Sequence, residues 1–336
     1  MSRQKSPPTS KKATLKDVAK HAGVSTATVS YVLNDSGSVG TKVKENVLNA
    51  VRALNYKPNR SAQAMRTGRT KTIGLILPDL RNPFFPELAQ AIENAAREAG
   101  YAVLLIDTQG SIENEKEGIQ MLSQYGVEGA IWCPASEQDS FKKFADIIPC
   151  VVVDRPMKNY DNVHSDYVMG GKMLARKILK AGHTKIGLIS GPQDIASARM
   201  RREGFMTELS GRVEIIWETA VSYAVDLTPE TISLIKKNKV SVIVAGNDLI
   251  AIGAIRALND IGISVPEQVS VTGFDDTPWS ILVSPALTTI KQPLTKLGQE
   301  AVNLLKRRMN EPEAERMEII LNVDLKVRNS LSSIIN

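Results

Sequence analysis

The chain is poor in the residues from which many enzymes and secreted scaffolds are built. Its 336 residues hold two cysteines and three histidines. Cys133 and Cys150 sit in apolar runs without a CxxC spacing. That argues against a disulfide framework and a thiolate metal site, and it points to reduced core residues in a cytoplasmic protein. His21, His164 and His183 stand too far apart for an HExxH zinc motif, and neither a GxSxG elbow nor a phosphate-cradling Walker loop occurs. These absences speak against an enzyme, a metal and a cofactor. No apolar run approaches the roughly 18 residues of a membrane span. The polar opening MSRQKSPPTSKK lacks the apolar segment of a secretory signal.

Acidic residues are scarce at one end. Residues 1–71 carry 14 Lys and Arg against 3 Asp and Glu, and the rest of the chain 28 against 33. A basic head on a mildly acidic body suits a polyanionic partner for the head. Residues 1–13 have nothing to bury and are expected to be a disordered tail. Three short helices follow. TLKD starts the first, with Thr14 as cap and Asp17 three residues on. Its apolar face is Leu15, Val18, Ala19 and Ala22, and Gly23 ends it. Ser25 caps a second helix that runs to about Leu33. The third spans about Lys42 to Leu54, and its spacing predicts burial of Val43, Val47, Val51 and Leu54.

The second helix lies in VSTATVSYVLN, residues 24–34. Val29, Val32 and Leu33 share one side, and the other is a row of hydroxyls. Serine and threonine are mediocre helix formers, so that face needs a reason. In a helix-turn-helix the second helix lies in the DNA major groove. Its packing needs a small residue, a turn residue tolerating positive φ, and a branched residue pointing inward. Ala19, Gly23 and Val29 fill those places at spacings of four and six. Ser25, Thr26, Ala27, Thr28, Ser30 and Tyr31 then face out. Hydroxyls bond phosphates and base edges, and Ala or Thr methyls meet thymine methyls. An ordinary helical hairpin with a polar outer face is the competing explanation.

From Thr72 the texture changes. TIGLILPD, YAVLLIDT, VEGAIWCP and PCVVVDRP are apolar strands, with helices at 86–99 and 112–125 between the first three. A second cycle follows Gly170: helix 168–181, KIGLISG, helix 197–209, a strand near 213–217, helix 228–237, VSVIVAG, helix 248–260 and VSVTGFD. Strands apolar on both faces, alternating with helices, imply parallel sheets covered by helices. The expected body is an α/β core of two lobes with a cleft between them. LTTIKQP (287–293) crosses back, and helix 294–309 rejoins the first lobe.

TLKDVAKHAGVSTATVSYVLN followed by ALNYKPNRSAQAM resembles, without a gap from Thr14 to Met65, the headpiece and hinge of the lactose/galactose repressor (LacI/GalR) family. The body follows the same family, which shares the periplasmic sugar-binding fold. The resemblance implies a tail (1–13), a helix-turn-helix headpiece (14–58), a hinge helix and linker (59–71) and an effector-binding, dimerising core (72–336). Lobe one would be about 72–165 plus 294–315, and lobe two about 166–290 plus the C-terminal segment. It further implies that Thr26 and Ala27 read bases. Thr14, Ser25, Thr28, Ser30, Asn34 and Asn59 would contact the DNA backbone. Tyr31 departs from the Arg or His frequent at its position, so no known operator sequence transfers. In the family the segment corresponding to 59–66 becomes helical when two subunits meet over the minor groove. Met65, where Leu is usual, would be the wedge, with core packing as its alternative.

The body's motifs also resemble those of ribose-binding protein. RNPFF carries Asn82, Phe84 and Phe85; VVVDRP carries Asp154 and Arg155; ARMRREGF carries Arg201. AGNDLIAIGA supplies Asn247, GFDDTP Asp275 and TTIKQP Gln292. By that resemblance these residues stack on and hydrogen-bond a sugar. Chemistry agrees: they cluster just beyond apolar strands, where open α/β sheets bind ligands. Asp accepts hydroxyl protons, Arg donates in a fork, and Asn and Gln do both. Trp279 is either a pocket wall or core, and Tyr223 is a weaker addition. Two aspartates favour a neutral monosaccharide, while two arginines keep a sugar acid or sugar phosphate open, and a purine is a further alternative. The expected protein is a cytoplasmic DNA-binding repressor of carbohydrate genes. It would be a homodimer on a pseudo-palindromic duplex, since no heptad tail follows Asn336, with a tetramer left open. A sugar carrier without regulatory role is the rival, but it leaves the basic headpiece without a use.

Overall fold

A computed structural model describes residues 13–33, 37–57, 68–209, 211–237 and 239–334. They fall into two compact units that divide between Thr70 and Lys71. Asn34 and the hinge segment with Asn59 and Met65 lie outside the described residues.

The first unit is a three-helix cluster: α1 (Leu15–Ala22), α2 (Thr26–Leu33) and α3 (Thr41–Ala53). Thr14 and Asp17 close a reciprocal capping box on α1, the Asp17 amide donating to Thr14 Oγ1 at 3.3 Å and the Thr14 amide to Asp17 Oδ2 at 2.8 Å. Gly23 ends the helix at φ 67°, in the left-handed region that spares glycine the Cβ penalty. The Thr28 amide donates to Ser25 Oγ at 3.1 Å, starting α2. Val18, Ala19, Val29, Val32, Val47 and Ala50 form the shared core. Of the four residues periodicity assigned to the interior of α3 only Val47 is buried: Val43, Val51 and Leu54 are half-buried, the last two packed against the core, and Ala50 joins Val47 inside.

In the second unit, lobe one is built from β1 (Thr72–Leu77), β2 (Ala102–Asp107), β3 (Ala130–Trp132), β4 (Cys150–Val153) and β5 (Asp161–Ser165). Helices α4 (Phe84–Glu98) and α5 (Ile112–Gln124) cover it. Lobe two has α6 (Tyr167–Lys180), β6 (Lys185–Ser190), α7 (Ala196–Leu209), β7 (Glu214–Ala220) and α8 (Pro229–Lys237). It continues with β8 (Val242–Ala245), α9 (Asp248–Asn259), β9 (Ser270–Thr272) and α10 (Trp279–Leu282). After β10 (Thr289–Lys291) the chain returns to lobe one through α11 (Leu294–Asn310) and β11 (Glu318–Leu321), and β12 (Asp324–Lys326) pairs antiparallel with β10.

The first sheet runs β11-β5-β4-β3-β1-β2 and the second β7-β6-β8-β9, all pairs parallel. In each, strand order reverses beside the first strand. The crevice off the carboxyl ends at such a reversal is where doubly wound sheets bind ligands. Each lobe has apolar clusters on both faces of its sheet, as parallel sheets require.

Several elements depart from sequence periodicity. β5, sequence DNVHS, is fully buried although four of its five residues are polar. Its polar groups are matched in the fold: Asp161 accepts from Arg308 Nε at 2.6 Å, and Asn162 bonds Met157 and Tyr160 backbone. β11, β12 and α10 are too short to carry a period. β2 is an edge strand with Leu105 exposed, not apolar on both buried faces. α4 starts at Phe84 instead of Pro86, with Pro83 as its cap residue and the Phe84 amide donating to Asn82 Oδ1 at 3.2 Å.

Candidate functional site

On the first unit the outer face of α2 is open. Ser25, Thr26 and Ala27 are exposed, Thr28 and Ser30 half-buried, and Tyr31 is 51 % exposed with its ring against Gly37. Thr14, at the start of α1, is exposed as well. Val29 and Val32 hold the helix from beneath. The result is a short hydroxyl-bearing helix, anchored on one side, with Ser25, Thr26, Ala27 and Tyr31 exposed on the other.

In the second unit the cleft residues converge from both lobes. Asp154 and Arg155 follow β4, and Asp275 follows β9. Arg201 sits on α7, and Gln292 lies where the chain crosses back. Asp154, Arg155, Arg201, Asp275 and Gln292 are all buried. Asp154 and Asp275 adopt φ of 68° and 114°, the left-handed region that a non-glycine residue occupies at a cost of about 1–3 kcal/mol. Backbone bonds hold both there: the Asp154 amide donates to Val163 O at 3.0 Å and the Asp275 amide to Ile290 O at 2.8 Å. The strain aims two carboxylates into the cleft.

These side chains bond one another. Arg201 meets Asp275 Oδ1 at 3.0 Å and donates to Gly246 O at 2.9 Å, its guanidinium 4.1 Å from the Phe274 ring. Gln292 Nε2 donates to Asp275 at 2.8 Å, and its Oε1 accepts from Ser165 at 2.7 Å. Arg155 donates to Pro134 O at 2.7 Å, lies 5.5 Å over Phe85, and leaves its Nε 3.8 Å from Asp154 Oδ2, too far for a hydrogen bond. Three buried groups here have no protein partner: Arg155 Nε, Arg201 Nε and the Tyr223 hydroxyl. Buried donors without acceptors are costly, and a ligand rich in oxygen would satisfy them. Burial pushes the Asp275 carboxyl up to about 6; Arg201 opposes the rise and Asp154 adds to it. Beneath it, burial and then Asp275 push Asp248 up to about 8.

Not every residue singled out in the sequence is brought into this network. Phe84 and Phe85 pack edge to face, 5.1 Å apart, within the lobe-one core. Phe84 still lines a 760 Å³ groove with Asp275 and Gln292. Asn82 and Asn247 are buried; Asn247 Oδ1 caps α9, and Asn82 Oδ1 accepts the Phe84 amide. Trp279 is 43 % exposed on α10 and joins neither the core nor the network. Sequence reasoning missed Tyr167, Ser165 and Asp248. The adjacency of Asp248 to Asn247 was a usable signal. Nothing local marks Tyr167, which reaches the cleft only because α6 starts beside Asp154. Among the described residues no group of His, Cys, Asp and Glu could hold a metal, and no helix is long and apolar enough to cross a membrane.

Comparison with known proteins bears on both units. Residues 14–59 match the family model described as bacterial regulatory proteins, lacI family. Residues 70–329 match the model for periplasmic binding proteins and the sugar binding domain of the LacI family. The HTH-type transcriptional repressor PurR of Pasteurella multocida is 35% identical over 334 residues, 96% of this chain and 99% of that protein. A crystal structure of the lac repressor dimer bound to operator and the anti-inducer ONPF superposes with a TM-score of 0.84 at 29% identity. It covers 96% of this chain and 100% of that one. An Enterococcus faecium LacI family regulator with bound ribose gives a TM-score of 0.70 at 28% identity, over 78% of this chain and 99% of that one.

Proposed function

The chain belongs to the LacI family of bacterial regulatory proteins, DNA-binding transcriptional repressors and not enzymes, and from that premise we propose that its operator affinity is switched by a small neutral sugar held between the lobes of its second unit. The carrying observation is the balanced cage: two arginines against two aspartates, with both guanidinium Nε atoms buried and unpartnered. A sugar hydroxyl accepts from Nε–H and donates to a carboxylate at once. A phosphate dianion would instead face Asp154 and Asp275 in a site shut off from water, where like charges repel strongly. The ribose bound by the E. faecium regulator supports the same ligand class. Thr26 and Ala27 read base edges; Thr14, Ser25, Thr28, Ser30, Asn34 and Asn59 hold phosphates; Met65 wedges the minor groove. A twofold dimer then presents two headpieces to a pseudo-palindromic operator. The effector acts by binding one arrangement of the lobes better than the other.

A purine effector is the second reading, since relatives carry the name PurR. A flat base wants an open aromatic face, whereas Phe84 and Phe85 pack edge to face in the core and the Arg155 guanidinium lies 5.5 Å over the Phe85 ring. A thermal-shift screen against pentoses, hexoses, sugar acids, sugar phosphates and purines decides. A neutral monosaccharide should raise the melting temperature and change operator affinity. Stabilisation by purines alone, or by phosphates alone, overturns the sugar reading.

A further inference from the structure

We propose that Tyr167 is a positioning residue of the effector cleft: its hydroxyl fixes the Asp154 carboxylate so that Asp154 presents one aimed oxygen, Oδ2, to the effector. The proposal rests on the reading of Asp154 as an effector contact. Tyr167 is fully buried at the first position of α6, the first helix of lobe two. Its hydroxyl lies 2.5 Å from Asp154 Oδ1 and 2.8 Å from the Asp154 carbonyl, across the lobe boundary, with Gln292 Oε1 at 3.4 Å. The Asp154 carbonyl and Oδ1 thus face the same hydroxyl, at a residue with φ 68°.

The rest of the side chain is held on three sides. The His164 ring stacks on it at 5.8 Å and 12°, Phe274 packs at 6.1 Å, and the Arg201 guanidinium lies 5.0 Å over it. Burial, reinforced by Asp154, raises the phenol well above its ordinary value, so it stays a donor. With Oδ1 taken, Oδ2 has only a weak thiol donor, Cys133 Sγ at 3.8 Å, and Arg155 Nε at 3.8 Å, beyond hydrogen-bond distance. Arg155 Nε has no hydrogen-bond partner. An effector oxygen approaching from the side of this pair could donate to Oδ2 and accept from Nε. A free carboxylate would rotate and offer that oxygen a poor angle; Tyr167 prevents the rotation.

The test uses the full chain as wild type, Tyr167→Phe, Asp154→Asn and the double variant. Phenylalanine keeps the stacking and removes only the hydroxyl. D-ribose binding, by calorimetry, should weaken about tenfold in Tyr167→Phe, the worth of a hydrogen bond to a charged group. The same change should have no further effect in the Asp154→Asn background. Independent losses in the two variants overturn the proposal, as does unchanged ribose affinity in Tyr167→Phe. A readout without ligand separates this from the sugar reading. Amide exchange at Asp154 and Arg155 should quicken in Tyr167→Phe, with the lobe-two sheet unchanged. Unchanged exchange at those amides refutes the positioning role whatever the effector. Faster exchange in a chain that binds no sugar would leave Tyr167 as the holder of Asp154 and remove the sugar.

Discussion

Arg201→Met is the most exacting perturbation of the cleft. Arg201 is 8 % exposed, neutralises Asp275 at 3.0 Å, bonds Gly246 O, and stacks on Phe274. Methionine keeps much of the volume and the aliphatic stem but strands a buried carboxylate. Removing one partner of a buried ion pair costs about 3–5 kcal/mol. For a unit of this size that is a fall in melting temperature of roughly 10 °C. The loss should depend on pH. Asp275 already sits at about 6 with Arg201 beside it, raised from 3.8. Without the guanidinium its folded value rises further. An acid with a raised folded pKa contributes stability that is complete below its unfolded pKa and disappears as pH climbs through the folded one. In wild type that decline ends near pH 6; in the variant it continues above. The difference in stability between the two proteins is therefore small at pH 5 and grows between pH 6 and 8. Urea unfolding of both at pH 5, 6, 7 and 8 measures it. Adding Asp275→Asn to the variant should recover most of the loss at pH 8. Equal destabilisation at pH 5 and pH 8, or no recovery by the second change, would refute the reasoning.

Three further outcomes follow from the same geometry. An effector that bonds the ionised Asp275 must expel its proton below about pH 6, so its affinity should fall by about tenfold per pH unit there, read by calorimetry between pH 5 and 7. Substituting Thr26 or Ala27 should change which operator is selected from a random duplex pool, by about 1–3 kcal/mol per base pair, while leaving effector-induced stabilisation intact. Gly204→Ala places a Cβ 2.0 Å from Val168 O where α6 crosses α7. Pushing the helices apart should cost about 1–3 kcal/mol and weaken the effector through displacement of Arg201, visible as a lower melting temperature with a reduced ligand shift.

Much of this protein is legible in one dimension because local physics repeats along the chain. The apolar runs at Thr72–Leu77, Lys185–Ser190 and Val242–Ala245 are strands wherever they are put, since strands buried on both faces need continuous apolar residues. Thr14 with Asp17, and Gly23 after Ala22, mark the ends of α1 by capping chemistry that spans only a few residues. The basic head is a sum over residues and needs no fold. Tertiary structure decided what depends on partners distant in sequence. β5 is a strand because Arg308 and the Met157–Tyr160 backbone answer its polar groups. Val43 stays half-buried while Val47 and Ala50 face the other two helices. Tyr167 enters the cleft because two lobes meet beside Asp154, and Trp279 stays outside because α10 turns it to solvent. Hydrophobic period and capping are short-range and written in sequence order. Charge pairing, burial of polar groups and the aim of a hydroxyl depend on which groups the fold brings together, as Arg308 is brought to Asp161 and Gln292 to Ser165, and sequence order does not show that.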